Sequence, residues 1–221
     1  MTFAILGHCR RTGAVGIGIT SSTICVGSRC AWVRAGVGAV ASQNIADPRL
    51  GPTGLDLMEL GYGARAACKE LSTAREFAEY RQLAAIDQDG NTGHFTGARG
   101  LGIHAAAEGD GCVAVGNLLK SKDVATAMVD GYLAAGDDAI LGERLMAGLE
   151  AGLAAGAEAD APLRAAGLLV ADRYTWPTTD LRVDWHDEPI AELRGIWDMY
   201  LPELENFVMR SVNPAEARNE E

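Results

Sequence analysis

The feature that most constrains the fold is an apolar pattern that begins at the amino end of the chain. Phe3, Ile5 and Leu6 precede a turn-like CRRTG at residues 9–13, and AVGIGIT at residues 14–20 is typical of a returning strand. Chain ends are usually loose unless a strand or helix holds them. The pattern therefore predicts an interior strand over residues 2–6, paired with residues 15–20.

Later segments alternate between the period of a strand and the period of a helix. A half-buried strand and an amphipathic helix each bury one face, so two sheets packed back to back with helices outside satisfy both patterns. This predicts an α+β fold, a four-layer αββα sandwich of two mainly antiparallel sheets. The predicted strands include residues 23–27, 34–42, 81–97 (a hairpin), 112–119, 166–174 and 180–185. A loop is predicted over residues 43–54. The predicted helices include residues 55–60, 64–71, 73–80, 124–132, 141–153 and 193–207, and the last of these is expected to bend at Pro202.

Composition narrows the class of protein. The chain has 221 residues, of which 48% are hydrophobic, and no linker-like segment interrupts it, so we expect a single domain over residues 1–211 and a frayed charged tail over 212–221. The formal net charge of -11 repels phosphate backbones and anionic membranes, so neither nucleic acid nor membrane is an expected partner. No secretory or transmembrane pattern is visible, which favours a cytoplasmic location.

The cysteines and histidines show no metal-binding pattern. Five cysteines at irregular spacing predict free thiols, and their spacing with the histidines fits no known ligand motif. The glycines of GAVGIG, residues 13–18, do not match the dinucleotide-binding pattern. We therefore expect neither a metal nor another cofactor.

Two polar residues are candidates for chemistry. If Met1 is removed, Thr2 carries a free α-amine, whose ordinary pKa of about 7.7–8.0 suits a base for its own hydroxyl. Asn117 ends an apolar run in VGNLL, where its amide could donate to an oxyanion. Both residues also have ordinary interpretations, because threonine is common in strands and asparagine is common in turns.

Several longer stretches carry a resemblance to a known family. MTFAILGH, VGSRCAWVRAGVGAVASQ, PRLGPTGLDLMELG, HFTG, VGNLL and DLRVDWHDEPIAELR, in this order, resemble the domain of unknown function 1028 family. The resemblance implies a branch of the N-terminal-nucleophile (Ntn) hydrolases, which have an αββα sandwich and hydrolyse amide bonds with an N-terminal Thr, Ser or Cys.

Carried over to this chain, the resemblance places Thr2 at the nucleophile position and Asn117 and Ser21 beside it as candidate catalytic residues. Thr20, Gln43 and Asn44 are candidate substrate-binding residues. The family often has a lysine after the serine of the second strand, whereas this chain has Ser22 there.

Two functions therefore remain open. One is an Ntn-type amidohydrolase that cleaves a small-molecule or peptide-like amide with Thr2. The other is a catalytically silent protein that binds a ligand or assembles. A homodimer is expected in either case, because the segment 43–54 and the apolar last helix, with Trp197, Tyr200 and Phe207, offer apolar surface.

Overall fold

Two antiparallel sheets form the centre of the protein. The computed structural model describes residues 1–73, 76–156 and 162–218. In spatial order, the first sheet contains β10 (Thr179–Val183), β9 (Ala165–Ala171), β2 (Val15–Ser21), β1 (Thr2–His8), β8 (Cys112–Leu119) and β7 (Ile103–Gly109), and the second contains β3 (Ala31–Arg34), β4 (Gly38–Asn44), β5 (Arg81–Asp87) and β6 (Thr92–Thr96).

Helices cover the outer face of each sheet. The helices are α1 (Val26–Cys30), α2 (Leu50–Glu59), α3 (Ala64–Thr73), α4 (Asp123–Ala134), α5 (Leu141–Ala154), α6 (Pro189–Tyr200) and α7 (Leu204–Val212), with short 3-10 helices at Ala78–Tyr80 and Leu201–Glu203. α4 and α5 pack on the first sheet, and α2 and α3 pack on the second. The result is the predicted αββα sandwich.

The alternation of side chains along β1 shows how the layers are held together. Phe3 and Ile5 are fully buried in the layer between the first sheet and its helices. Ala4 and Leu6 point the other way and are fully buried between the two sheets. Because both faces of β1 are covered, this strand lies in the middle of the protein, and the predicted pairing of residues 2–6 with β2 is confirmed.

Three local predictions are wrong. The strand predicted over 34–42 is interrupted by a turn at residues 35–37, between the end of β3 at Arg34 and the start of β4 at Gly38. Residues 23–27 do not form a strand: Cys25 has a left-handed φ of 57° and α1 begins at Val26. The predicted loop over 43–54 is too long, because β4 continues to Asn44 and α2 begins at Leu50. Pro52 lies in the first turn of α2, where a missing N–H costs little because those N–H groups have no helical partner.

Other boundaries differ in detail. The helix expected over 73–80 is a single 3-10 turn at Ala78–Tyr80, and residues 74–75 lie outside the described residues. β7 was not predicted, since its alanine-rich sequence lacks the β-branched residues of a typical strand. The bend at Pro202 is confirmed as the break between α6 and α7.

At the carboxyl end, α7 extends to Val212, and the Arg218 N–H donates to Asn206 Oδ1 at 2.8 Å. The prediction of a frayed tail over 212–221 extends past the described residues, which end at 218. Across the described ranges, every helix is too short or too polar to cross a membrane.

Candidate active site

Strand register brings Thr2, Ser21 and Asn117 together. Thr2 is opposite Ser21 in the β1–β2 pair and opposite Asn117 in the β1–β8 pair. Directly opposed residues of antiparallel strands place their side chains on the same face. That face also carries Ala4 and Leu6, so the three polar side chains lie at one end of the space between the sheets.

The Thr2 hydroxyl is held by a short chain of hydroxyl groups. Thr2 Oγ1 lies 2.9 Å from Ser21 Oγ, which in turn lies 2.8 Å from Thr23 Oγ1. Ser21 Oγ donates to the Met1 carbonyl at 3.0 Å. Thr2 is 8% exposed and Ser21 is fully buried, so packing restricts the positions that the two hydroxyl groups can take.

The acyl group attached to the Thr2 nitrogen is surrounded by donors. The Met1 carbonyl accepts from the Ser22 N–H at 3.0 Å and from Ser22 Oγ at 3.3 Å, in addition to Ser21 Oγ. The Met1 amine donates to Ser22 Oγ at 2.9 Å, and burial lowers the pKa of that amine. Removal of Met1 would leave these donors beside the hydroxyl and amine of Thr2.

Two glutamines of the second sheet complete the cluster. Gln43 Nε2 donates to Gln82 Oε1 at 2.7 Å, and Asn117 Nδ2 donates to the same oxygen at 3.1 Å. Gln82 Nε2 donates to the Gly116 carbonyl at 3.0 Å and to Thr96 Oγ1 at 3.1 Å. Gln82 therefore fixes the orientation of the Asn117 amide and leaves Asn117 one further N–H to donate.

Gln43 contains an unsatisfied oxygen within this cluster. Its side chain is fully buried, yet Oε1 has no hydrogen-bond partner among the described residues. Gln43 Nε2 also contacts the Thr2 carbonyl at 3.5 Å. A buried acceptor without a donor costs stability, so Gln43 Oε1 can accept a hydrogen bond from a group that enters this cluster.

The backbone immediately after Asn117 is strained. Leu118 has a φ of 54°, a left-handed conformation that is uncommon for a residue with a bulky side chain. Its N–H donates to the Leu101 carbonyl at 3.0 Å, which links β8 to the loop that follows β6. Strain of this kind is concentrated at functional sites.

Two of the predicted substrate-binding residues lie outside the cluster. Thr20 alternates with Ser21, so its fully buried side chain faces the helices, and Oγ1 donates to the Ala165 carbonyl at 2.8 Å. Asn44 ends β4 with a φ of 72°. Its amide contacts the Tyr80 carbonyl at 2.5 Å and the Leu101 N–H at 3.2 Å, so it anchors the loop beside Leu118.

The sequence did not indicate Gln82 or Thr96 as parts of the site, and it drew attention to Ser22 only as the residue that stands where the family often has a lysine. Gln82 has one available signal, since it is an amide directly before the apolar run LAAI of a predicted strand. Nothing in the spacing of Gln82 and Thr96 indicates that they join the Asn117 amide, because these contacts link two different sheets.

Cavities lie at the other end of β1. One has a volume of about 320 Å³ and is lined by Trp197, Leu141, Leu204, Val208, Arg173 and Cys9. A second, of about 170 Å³, borders His8, Cys9, Arg10 and Arg144. These cavities are separate from Thr2, which lies at the opposite end of the same strand.

The described part of the chain contains no group of three or more His, Cys, Asp or Glu residues placed to hold a metal ion. All five cysteines are free. The cluster around Thr2 consists of hydroxyls and carboxamides, which suit proton transfer and hydrogen bonding to a carbonyl group.

These observations define an αββα protein with a hydroxyl and amide cluster at the amino end of its central strand. The chain belongs to the Family of unknown function (DUF1028), whose sequence profile matches residues 2–193. No curated protein matches the chain.

Solved structures agree with this family. The crystal structure of SPO2555 from Silicibacter pomeroyi, also assigned to DUF1028, is 30% identical and has a TM-score of 0.83. The alignment covers 90% of this chain and 88% of that chain. Anbu (ancestral beta-subunit) from Yersinia bercovieri aligns over 99% of both chains with 10% identity and a TM-score of 0.43, a value too low to support any argument.

Proposed function

We propose that the protein is an Ntn-type amidohydrolase in which Thr2 is the nucleophile for a small-molecule or peptide-like amide. The observation that carries the proposal is the 2.9 Å contact between Thr2 Oγ1 and Ser21 Oγ, with Asn117 opposite Thr2 on β8. This contact supports the proposal because the hydroxyl that it holds belongs to residue 2, the position that gains a free amine when Met1 is removed.

The proposed reaction begins when the neutral Thr2 amine accepts the proton of Oγ1 through a water molecule. Oγ1 then attacks the amide carbonyl, and the remaining Nδ2 hydrogen of Asn117 donates to the oxyanion. The proton returns from the amine to the leaving nitrogen as the C–N bond breaks. Water hydrolyses the resulting ester by the same proton path, which regenerates Thr2.

Neighbouring residues have supporting roles in this proposal. Ser21 orients the Thr2 hydroxyl, and Gln82 holds the Asn117 amide in place. Gln43 remains a candidate substrate-binding residue, because its unpartnered oxygen can accept an N–H. Thr20 and Asn44 contribute by fixing β2 and the adjacent loop, since their polar atoms already have partners within the protein.

The experiment that tests the proposal is a hydrolysis screen of N-acyl amides. The protein used in the screen is first shown by its intact mass to begin at Thr2. Thr2→Ala should be inactive toward any substrate that the unsubstituted protein hydrolyses. Thr12→Ala is the matched control, because Thr12 lies in the turn at the far end of β1 and β2. Equal turnover by Thr2→Ala would show that Thr2 is not the nucleophile.

A second candidate function is ligand binding without catalysis, and the 320 Å³ cavity favours it. Its lining combines apolar side chains with charged ones, among them Arg11, Asp138 and Glu205, and polar groups among apolar walls can orient a small ligand. Val208→Trp, which would fill this cavity, should abolish binding of such a ligand. The same variant should leave hydrolysis at Thr2 unchanged, so the two functions are separable.

We also propose that the protein is a homodimer, although part of the apolar surface expected from the sequence is internal. Trp197 is fully buried, and the Tyr200 and Phe207 rings pack on each other with centroids 5.3 Å apart. Met199 on α6 and Ile45 in the segment 43–54 are apolar side chains that remain exposed, at 72% and 47%. Sedimentation at micromolar concentration tests the proposal, and a monomer alone would contradict it.

A further inference from the structure

Most arginines of this chain pair with carboxylates, as Arg10 does with Asp110 and Arg194 does with Glu143 and Glu150. This is expected in a chain with 30 acidic and 19 basic residues. Arg11 is an exception at the far end of the sandwich, where it donates to the Asp138 carbonyl. Arginines without an ion pair among the described residues also occur near the Thr2 end.

Arg29 is such an arginine, and it is connected to the candidate nucleophile. Its guanidinium donates to the Ile24 carbonyl at 2.9 Å and to Thr23 Oγ1 at 3.4 Å, and it forms no ion pair within residues 1–73, 76–156 and 162–218. Thr23 Oγ1 contacts Ser21 Oγ, which contacts Thr2 Oγ1. Three successive hydrogen-bonding contacts thus separate an exposed positive charge from the Thr2 hydroxyl.

A second arginine lies at the same end of the protein. Arg99 belongs to the loop that Asn44 and Leu118 anchor through Leu101. Its guanidinium donates to the Tyr80 hydroxyl at 2.7 Å and lies over the Tyr80 ring, and the described residues provide it with no carboxylate partner. Neutral contacts hold Arg29 and Arg99 in place and leave their charges uncompensated.

Two carboxylates near this end are already paired. Asp47 is occupied by a bidentate pair with Arg49, and Asp187 pairs with Arg164. Arg29 and Arg99, which have no ion pair among the described residues, contribute positive potential on a protein of net charge -11. A local potential of this sign favours an anionic molecule at the site.

We propose that the substrate of the Thr2 site is an amide that also carries a carboxylate, and that Arg29 binds this carboxylate. The inference rests on the proposed function and adds the substrate class to it. Arginine presents paired N–H donors that match a carboxylate. An N-acyl amino acid has the required form, with its amide group a few bonds from its carboxylate.

The test uses pairs of N-acetyl amino acids and their C-terminal amides, which differ in charge but hardly in shape. We expect kcat/KM to be about tenfold to a hundredfold higher for the acids, a range set by one charge-assisted hydrogen-bonded pair. Arg29→Gln should bring the ratio of acid to amide close to one, and Arg29→Lys should restore part of it.

Two controls separate charge from structure. Thr23→Val removes the hydroxyl that Arg29 contacts but keeps the charge, so the acid-to-amide ratio should persist. Arg10→Gln removes a paired arginine at the opposite end of the sandwich and should change neither rate. A ratio near one in the unsubstituted protein, or a ratio that survives Arg29→Gln, would overturn the proposal.

A binding measurement keeps this inference distinct from the proposed function. Thr2→Ala cannot form an acyl-enzyme, so calorimetry with this variant reports affinity alone. Tighter binding of the acids than of the amides, lost when Arg29→Gln is added, supports the carboxylate site whether or not hydrolysis is found. Equal affinity for both members of each pair would contradict it, even if Thr2 proves to be a nucleophile.

Discussion

Thr2 and Asn117 are cross-strand partners on β1 and β8, although they are 115 positions apart in the sequence. Both side chains enter the space between the sheets, where Asn117 is 2% exposed and Thr2 is 8% exposed. The pairing sets the distance between the hydroxyl and the amide through backbone hydrogen bonds, not through mobile loops. Precise placement of this kind is what a catalytic pair needs.

The substitution of Thr2 separates catalysis from folding. Thr2→Ala should lose all hydrolysis, while its free energy of unfolding should fall by only about 1 kcal/mol because one hydrogen bond to Ser21 is lost. Thr2→Ser keeps a hydroxyl and an amine and should retain measurable activity. Kinetic assays measure the hydrolysis rate of each variant, and urea unfolding measures its free energy of unfolding. A large loss of stability in Thr2→Ala would mean that the hydroxyl is structural.

Asn117 should affect the rate more than the affinity. Asn117→Ala removes the proposed oxyanion donor, and the expected loss in kcat is about 10²- to 10³-fold. Gln82 Oε1 keeps its hydrogen bond from Gln43, so the site should otherwise remain satisfied. Measured kcat and KM for Asn117→Ala check this result. An effect confined to KM would assign Asn117 to substrate binding instead.

The dependence on pH follows from the role of the amine as a base. Only the neutral amine accepts a proton, so activity should rise with pH and reach half of its maximum at the amine pKa. Burial lowers the pKa of the Met1 amine from its ordinary value of 8.0. We expect the same burial to lower the Thr2 amine pKa, which places the acid limb of kcat/KM below 8.0. A midpoint well above that value would contradict the assignment.

Two glycines on helices offer a matched test of the packing. A Cβ at Gly142 would lie 2.4 Å from the Trp197 ring, so Gly142→Ala should destabilise the protein by about 1–3 kcal/mol. A Cβ at Gly195 would meet nothing within 4 Å, so Gly195→Ala in α6 should stabilise it by up to about 1 kcal/mol. Denaturant unfolding measures both. Equal effects of the two substitutions would show that Trp197 does not pack against α5 as described.

Much of the fold could be predicted from local patterns, and the reasons are visible in particular elements. β1 and β2 are covered on both faces, so their continuous apolar runs identified them and their pairing. α1 was missed because the left-handed Cys25 interrupts a β-like sequence, and no glycine indicates that conformation. β7 was missed because its small residues carry little preference for either kind of element.

The site was only partly predictable. Thr2, Ser21 and Asn117 lie at strand ends of one sheet. The sequence pattern and the family resemblance indicated all three as candidate catalytic residues. Gln82 and Thr96 enter from the second sheet, and their contacts depend on how the two sheets face each other. Thr20 remains an untested candidate for substrate binding, although its side chain faces the helices and not Ser21, because successive residues of a strand point to opposite faces.

The most direct test of the account is the intact mass of the protein before and after reaction with an activated acyl ester. We predict that the mature chain lacks Met1, and that it gains one acyl group, which peptide mapping places on Thr2. Thr2→Ala should gain none. A native chain that keeps Met1, or a Thr2→Ala variant that is acylated to the same extent, would contradict the central claim.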